Sequence, residues 1–284
     1  MIEYEKDPNR YIYHYTSAST AIDFILPNQT LRLSPYTSTN DPKETKDWHF
    51  DQGAKGDDFD FGKYPLFELA SKLSKAIKQK AKVLCFCQDR GPLRGVNIHD
   101  IPYRGYFKPR MWAQYGDSHR GVCLILEKKN LQKEFESTFK SSLSIVGPVN
   151  YKDTGILLDR TTGNAFTINM DEYVRVGFDE YMWAHIRTYY QELFFQKMTD
   201  WSQELELRFL LFSDSSEFEY LSIKSSLVGI VFGTDAKEED VKAIQKITRG
   251  TGIQHIGIIW KNNSPWYDYG NPLFNPALRN WGKA

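Results

Sequence analysis

The chain of 284 residues is long enough for one large domain or two small ones. Hydrophobic residues account for 41% and charged residues for 25%, which excludes a disordered chain. The 36 basic side chains equal the 36 acidic ones, so there is no global field to attract nucleic acid or an anionic membrane; totals say nothing about a local basic patch.

The first residues, MIEYEKDPNR, are polar and do not resemble a signal peptide, and no apolar stretch approaches the ~20 residues of a membrane span. We therefore expect a cytoplasmic protein without membrane contact. Cys85, Cys87 and Cys123 lie in apolar runs and lack the CxxC spacing of redox or zinc sites. We interpret them as buried free thiols, and we expect no metal site.

Hydrophobic patterns in the first half of the chain predict alternating strands and helices. Ser17 is placed to cap a helix that Pro27 and Asn28 end. The polar stretch 41–63 is predicted as a long surface excursion, and 91–109 as a loop. Strands are predicted at 11–16, 31–33, 82–87 and 121–126, and helices at 21–26, 66–80, 109–115 and 130–139.

The second half begins with a predicted edge strand or turn at 149–151 and a long helical pattern over 170–198. Residues 201–212 (WSQELELRFLLF) alternate and then become wholly apolar, as expected of a strand entering a core. Two further strands, 227–233 and 253–260, flank a helix at about 238–248. The aromatic-rich tail from Ser264, which includes Trp281, is predicted to wrap the surface.

This order of elements predicts an α+β fold. Strict βαβ alternation is missing, so a mixed or antiparallel sheet is favoured over a doubly wound one. No GxxxxGK[ST] and no strand-linked GxGxxG occurs, so neither a P-loop nor a Rossmann site is supported. We expect one domain over 1–284, with an aromatic-rich extension from about residue 261.

Two clusters in the first quarter of the chain carry candidate chemistry. In YHYT, His14 lies between tyrosines on a strand, where it offers one hydrogen-bonding edge between aromatic rings. Ser34 precedes the turn-forming sequence NDPKE that begins at Asn40. Each cluster has a structural interpretation as well: a half-buried histidine in one case and a local turn in the other.

Two more clusters follow. In MWAQYG, Trp112 and Tyr115 are three apart on a predicted helix and could frame a flat ring, or simply face the core. Arg120, just before a strand, is a candidate diphosphate ligand or an ordinary surface charge. In WSQELELR, alternation places Glu204, Glu206 and Arg208 on one strand face, where two carboxylates repel unless water, Arg208 or a ligand lies between them. A solvent-facing edge strand is the other interpretation of this segment.

The clusters together, in the order YHYT, NDPxE, MWxxY and WxxExExR, resemble a bacterial family of unknown function that is grouped with the ADP-ribosyltransferase-like superfamily of the histidine–tyrosine–glutamate type. The resemblance runs from about residue 11 to 233. It implies a split, mostly antiparallel sheet with flanking helices that binds NAD as co-substrate.

The resemblance also implies a role for individual residues of each motif. His14 corresponds to the histidine that bonds the nicotinamide ribose, Tyr115 to the tyrosine that stacks on nicotinamide, and Glu206 or Glu204 to the glutamate that bonds the ribose 2′-hydroxyl. We favour Glu206 because it lies deeper in the predicted strand. The expected NAD-binding residues are His14, Tyr15, Thr16, Ser34, Asn40, Trp112, Tyr115 and Arg120.

The implied activity is transfer of ADP-ribose to a macromolecular acceptor, either protein or nucleic acid, by a toxin or anti-phage effector. The resemblance also implies an inhibitory partner such as an antitoxin. Two alternatives stay open: an NAD glycohydrolase, in which water is the acceptor, and a non-catalytic module that binds a nucleotide or nucleic acid.

Overall fold

The computed structural model describes residues 1–56, 58–153, 160–215 and 217–278. Its helices are α1 Ala18–Thr20, α2 Leu26–Asn28, α3 Pro42–Thr45, α4 Leu66–Lys80, α5 Asn97–Asp100, α6 Pro109–Tyr115, α7 Lys128–Thr138, α8 Arg160–Ala165, α9 Met170–Val176, α10 Phe178–Phe194 and α11 Glu238–Ile247. Its strands are β1 Tyr11–Thr16, β2 Thr30–Pro35, β3 Asp51–Gly53, β4 Ala81–Gln88, β5 Val122–Glu127, β6 Leu143–Pro148, β7 Asn150–Tyr151, β8 Thr167–Asn169, β9 Gln196–Lys197, β10 Glu206–Phe212, β11 Glu219–Ser222, β12 Leu227–Phe232, β13 Gln254–Lys261 and β14 Ser264–Tyr267.

The main sheet follows the order β11-β2-β4-β1-β5-β12-β13-β14, and β10 pairs with both β4 and β6. Its described pairs are antiparallel apart from β12–β13, which is parallel. Two small parallel pairs, β3–β8 and β7–β9, lie outside it. The predicted α+β fold, with a mostly antiparallel sheet and flanking helices, is confirmed.

The sheet divides along β4. The same strand pairs with β1 at one end, through Tyr13 and Cys87, and with β2 at the other, through Ser34 and Val83. The middle of β4, between these pairings, therefore lies where β1 and β2 diverge, and a cleft opens there.

Alternation along β4 and β10 separates two faces of the sheet. One face packs its apolar residues, among them Phe86 and Phe209, against α7, α11 and the helical segment 18–28. The other face carries two separate apolar clusters. The first joins Val83 and Leu210 to α4 and α10, and the second joins Cys87 to the tyrosines of β1 and to α6. Burying each large apolar side chain contributes about 1.5–3 kcal/mol.

Arg208 and Glu206 lie on the same face as Leu210, directly opposite Cys85 and Cys87 in the ladder. They stand at the point where one apolar cluster ends and the other begins. Charged side chains at this place must be paired, because the surrounding protein removes them from water.

Most predicted elements of the first half agree with the structure. Ser17 caps the first helix by accepting a hydrogen bond from the Thr20 N–H at 3.1 Å. Between α1 and α2 the chain makes a π-helical turn, Ala21–Ile25, so the helix is continuous but wider than predicted. The surface excursion predicted for 41–63 is wrong in part, because the rings of Trp48 and Phe50 belong to the core and Glu44 of α3 is fully buried.

The single helix predicted for 170–198 is wrong. Gly177, with φ of 82°, ends α9 and begins α10, and the chain becomes extended again at β9. The strand predicted from residue 201 is also shorter, because 199–204 form a 3₁₀ helix and Leu205 is left-handed. Glu204 therefore lies outside β10, and the predicted strand face holds only for Glu206 and Arg208.

The strand at 149–151 is confirmed as β7, whereas β6 before it was missed. The tail is not a surface wrap throughout. β14 pairs with β13, and Tyr267 is buried against the second apolar cluster. Trp281 lies outside the described residues. None of the helices in the described part of the chain is long and apolar enough to cross a membrane.

Candidate active site

The cleft has a volume of about 1080 Å³, and its wall combines the divergent strands with the segment 18–28 and the charged residues near β10. This volume is slightly above the ~300–1,000 Å³ typical of small-molecule sites. Eight of the ten predicted site residues line it: His14, Tyr15, Thr16, Ser34, Asn40, Tyr115, Glu204 and Glu206.

The other two predicted residues lie elsewhere. Trp112 is 1% exposed and packs edge-on against Tyr15 in the core, with its indole N–H donated to the Tyr106 carbonyl at 2.8 Å. Arg120 is exposed and bonds Asp117 at 3.0 Å. Neither belongs to the cleft lining. Of the two interpretations of the helix, the core-facing one holds for Trp112, and Tyr115 lines the cleft without it.

Trp112 faces inward because the backbone around it leaves room for the indole. A Cβ at Gly116 would lie 2.6 Å from the Trp112 ring, so a larger residue would displace that ring. The helix period alone lets Trp112 and Tyr115 share a face. In the structure Trp112 is buried, whereas Tyr115 is half-buried and lines the cleft.

His14 reaches across the gap between β1 and β4. Its Nδ1 lies 3.2 Å from the Cys85 carbonyl, and since a carbonyl only accepts, Nδ1 carries the hydrogen. Burial lowers the pKa of His14, against the smaller opposing effect of this hydrogen bond. The ring is therefore neutral at pH 7, with Nε2 as an acceptor.

Glu206 is fixed at the first position of β10. Arg208 bonds both of its oxygens, with Nε at 2.7 Å from Oε1 and Nη2 at 3.1 Å from Oε2. The backbone N–H of Glu206 is donated to the Tyr151 hydroxyl at 2.9 Å. Burial by itself would raise the pKa of Glu206, but the charges of Arg208 and Lys197 outweigh it and lower the pKa to about 2.

Glu204, at the end of the 3₁₀ helix, has two different partners. Its Oε1 accepts from the Tyr115 hydroxyl at 2.9 Å, and its Oε2 is 3.0 Å from Lys197 Nζ. Burial, followed by the Glu204 charge, raises the pKa of the Tyr115 hydroxyl, which therefore stays protonated at neutral pH.

Lys197 and Glu44 were not predicted, and both belong to the site. Lys197, on β9, also lies 2.8 Å from Glu206 Oε2. Glu44, the last residue of the NDPKE motif, pairs with Arg208 on its far side. The resulting network runs through Glu44, Arg208, Glu206, Lys197, Glu204 and Tyr115. When its three carboxylates and two cations are ionised, it carries one net negative charge.

The NDPKE motif is built into this network rather than forming a plain turn. Asp41 caps α3 through the Lys43 N–H at 2.9 Å, which confirms the local role expected of the turn. Lys43 Nζ then donates to the carbonyls of Glu192 and Gln196, at the end of α10 and next to Lys197. Burial, followed by the charge of Arg208, lowers the pKa of Lys43 to about 8.

At its far end, away from the charged network, the cleft is lined by exposed aromatic rings and an arginine. Phe24 and Tyr220 are 65% and 51% exposed, and both line the cleft. Arg32 stands directly opposite Tyr220 in the β2–β11 ladder, and its guanidinium lies over the Phe218 ring. Exposed aromatic rings beside an arginine can bind a flat base and a phosphate.

The three cysteines are free thiols, as predicted. Cys87 and Cys123 are buried, whereas Cys85 is partly exposed and lines the cleft. Burial, followed by the nearby Glu206 charge, raises the pKa of Cys85, so it is a poor nucleophile at neutral pH. Within the described residues, no group of three or more His, Cys, Asp or Glu is arranged to hold a metal ion.

The fold and the cleft thus define an α+β protein with a divided, mostly antiparallel sheet and a buried network of carboxylates at the division. The model of a family described as Protein of unknown function (DUF2971) matches residues 111–209, about a third of the chain. This match confirms the predicted relationship to a family of unknown function, and the grouping with ADP-ribosyltransferases remains a prediction. Comparison with curated proteins and with solved structures gives no match.

The matched segment runs from α6 into β10. It includes Tyr115, Lys197, Glu204, Glu206 and Arg208, which are all of the charged network except Glu44. The YHYT and NDPxE motifs lie before it.

Proposed function

We propose that the protein is an NAD-dependent ADP-ribosyltransferase that acts on a macromolecular acceptor. The observation that carries the proposal is the convergence of His14, Tyr115 and Glu206 on one cleft, although they lie on β1, on α6 and at the start of β10. These three residues correspond to the imidazole, the aromatic ring and the carboxylate that the sequence resemblance implies. The cleft is also large enough for a dinucleotide.

The charge of the network supports cleavage of the bond between nicotinamide and ribose. As this C1′–N bond breaks, nicotinamide leaves with the electron pair and becomes neutral, and positive charge develops on the ribose. Glu206, ionised and fixed by Arg208, stabilises that charge more than it stabilises the bound NAD. The acceptor then forms the new bond to C1′ and releases its proton.

The two carboxylates have different surroundings, which suggests different roles. Glu206, with both oxygens on Arg208 and a pKa lowered to about 2 against the effect of burial, is a poor base and remains a fixed charge. Glu204 is bound by Lys197 and the Tyr115 hydroxyl rather than by an arginine fork. We therefore assign ribose binding to Glu206, and to Glu204 the removal of the proton from the acceptor.

The remaining residues of the cleft support orientation of NAD. In the proposal, the neutral His14 offers Nε2 to a ribose hydroxyl, and the Tyr115 ring, held beside Glu204 by its hydroxyl, stacks on nicotinamide. At the far end, Phe24 and Tyr220 would stack on the adenine and Arg32 would bond the diphosphate. By the same resemblance we propose a bacterial, cytoplasmic effector with an inhibitory partner.

The test is incubation with NAD labelled in the adenylate half, together with a cell lysate. We expect label on protein or nucleic acid, and a loss of about 10²–10³-fold in Glu206→Gln. Glu239→Gln is the matched control, because Glu239 is exposed on α11 and is not part of the cleft lining.

Nicotinamide release without labelled macromolecule would instead establish the glycohydrolase. Nucleic-acid binding without NAD binding in a calorimetric titration would establish the non-catalytic module, and absence of both NAD binding and cleavage would overturn the proposal.

A further inference from the structure

Lys197 is the cation that lies between the carboxylates of Glu204 and Glu206. Its Nζ lies 3.0 Å from Glu204 Oε2 and 2.8 Å from Glu206 Oε2, so one ammonium group bridges two carboxylates. The three side chains are each at most 7% exposed. At such burial two neighbouring carboxylates repel strongly unless a cation lies between them.

The two carboxylates do not depend on Lys197 equally. Glu206 keeps the fork of Arg208 if Lys197 is removed. For Glu204 the remaining contact described is the neutral Tyr115 hydroxyl. Removal of the ammonium group would therefore leave Glu204 beside an ionised Glu206 without a cation of its own.

The backbone around Lys197 fixes the position of its side chain. β9 pairs with β7, and the N–H of Asn150 is donated to the Phe195 carbonyl at 2.7 Å. Lys43 bonds the carbonyl of Gln196, immediately before Lys197. The ammonium group then passes 5.1 Å from the centre of the Trp201 ring, which covers it from the 3₁₀ helix.

Several other titratable groups face this cation. Glu44 and Arg208 act on it from α3 and β10, and the hydroxyls of Tyr115 and Tyr151 lie within its field. Burial opposes the charge of Lys197, but Glu206 and Glu44 outweigh it and raise its pKa. Lys197 is therefore cationic across the whole range in which the carboxylates titrate.

We infer that Lys197 is a positioning residue that holds Glu204 and Glu206 together as an ionised pair at the base of the cleft. It does this by bridging them with a single ammonium group, and it need not touch the ligand. Its link to ADP-ribose transfer rests on the proposed function, whereas the pairing of the carboxylates can be measured in the ligand-free protein.

The experiment is a ¹³C NMR titration of the glutamate carboxyl groups in the ligand-free protein. We compare the wild type with Lys197→Met, with Lys197→Arg, and with Lys108→Met as the matched control. Lys108 bonds the carbonyl of Gln203, next to Glu204, and contacts neither carboxylate. In Lys197→Met we expect the titration midpoint of Glu206, whose pKa the charge of Lys197 helps to lower in the wild type, to rise by at least about one pH unit. Lys197→Arg and Lys108→Met should keep the wild-type midpoint, and unchanged midpoints in Lys197→Met would overturn the inference.

A second measurement applies if Lys197→Met alone folds poorly. In the double variant Lys197→Met/Glu204→Gln the orphaned carboxylate is gone, so the melting temperature should recover most of the loss. Equal melting temperatures for the single and double variants would overturn the inference. NAD binding by the wild type is measured separately, and its absence would overturn the proposed function while leaving these outcomes intact.

Discussion

The phenol of Tyr115 and the carboxylate of Glu204 are joined by a hydrogen bond of 2.9 Å, across 89 positions of the chain. The bond links the last residue of α6 to the last residue of the 3₁₀ helix before β10. The bond therefore connects the aromatic ring of Tyr115 directly to the network of buried charges.

This bond separates two roles of Tyr115. Tyr115→Phe keeps the ring but removes the donor to Glu204, so we expect NAD affinity to stay near that of the wild type. The rate of ADP-ribose transfer to the acceptor should fall roughly 10- to 100-fold, since a hydrogen bond to a charged group contributes about 1.5–3 kcal/mol. Tyr115→Ala, which lacks the ring too, should lose affinity as well. Equal rates in wild type and Tyr115→Phe would contradict the role of the hydroxyl.

Glu206 should make the stability of the protein depend on pH. Its pKa of about 2 in the folded protein lies below the ordinary value of 4.5, so the unfolded chain binds the proton more readily. Glu206 thus contributes about 3 kcal/mol that is fully present above pH ~4.5 and is lost as the pH falls towards 2.

Glu206→Gln should therefore be less stable than the wild type at pH 7, because Arg208 and Lys197 lose their shared carboxylate. Its stability should then decline less steeply between pH 5 and 2. Urea unfolding at several pH values measures both effects, with the exposed Glu239→Gln as control. A slope identical to that of the wild type would show that Glu206 is not the titrating group.

His14 should remain neutral throughout the physiological range. Because burial lowers its pKa, the ring should titrate below the ordinary value of 6.5, and the stability that its neutral form contributes is lost as the pH falls below that value. Long-range ¹⁵N–¹H spectra should show the hydrogen on Nδ1, with the exposed His49 as an internal reference. A hydrogen on Nε2, or titration above 6.5, would contradict the geometry.

The aromatic rings at the far end of the cleft should distinguish a dinucleotide from a mononucleotide. The double variant Phe24→Ala/Tyr220→Ala should weaken NAD binding about tenfold or more, since stacking of a base on an aromatic ring contributes about 1–3 kcal/mol. Nicotinamide mononucleotide, which lacks the adenosine, should bind the variant and the wild type equally. Phe67→Ala is the matched control, because Phe67 is 86% exposed on α4 outside the cleft. Equal loss for both ligands would show that the two rings act on the cleft as a whole.

Much of the cleft was predictable because its residues lie in short, recognisable motifs. His14 and Ser34 belong to strands whose apolar patterns are clear, and the structure brings both to the point where β1 and β2 leave β4. Glu206 and Arg208 follow the alternation of β10, and their shared face is as predicted.

Lys197 and Glu44 were not predictable by the same means. The apolar period of 170–198 continues to Lys197, so the sequence placed it on a helix, whereas the backbone turns at Phe195 and forms β9 with a strand more than forty residues earlier. Glu44 closes the recognised NDPxE motif, but by itself that motif indicates a local turn, and the pairing of Glu44 with Arg208 joins residues 164 positions apart. Pairings of this kind arise from tertiary contacts and leave no local pattern.

The divergence of two strands from a common neighbour has a further consequence for how a ligand would enter. Hydrogen-bonded ladders on both sides set the width of the opening, so the recess exists before anything occupies it, and little ordering free energy is spent on association. Selectivity would then arise from shape: a molecule too thick to pass between the ends of β1 and β2 would be rejected without any contact to the acidic groups beneath.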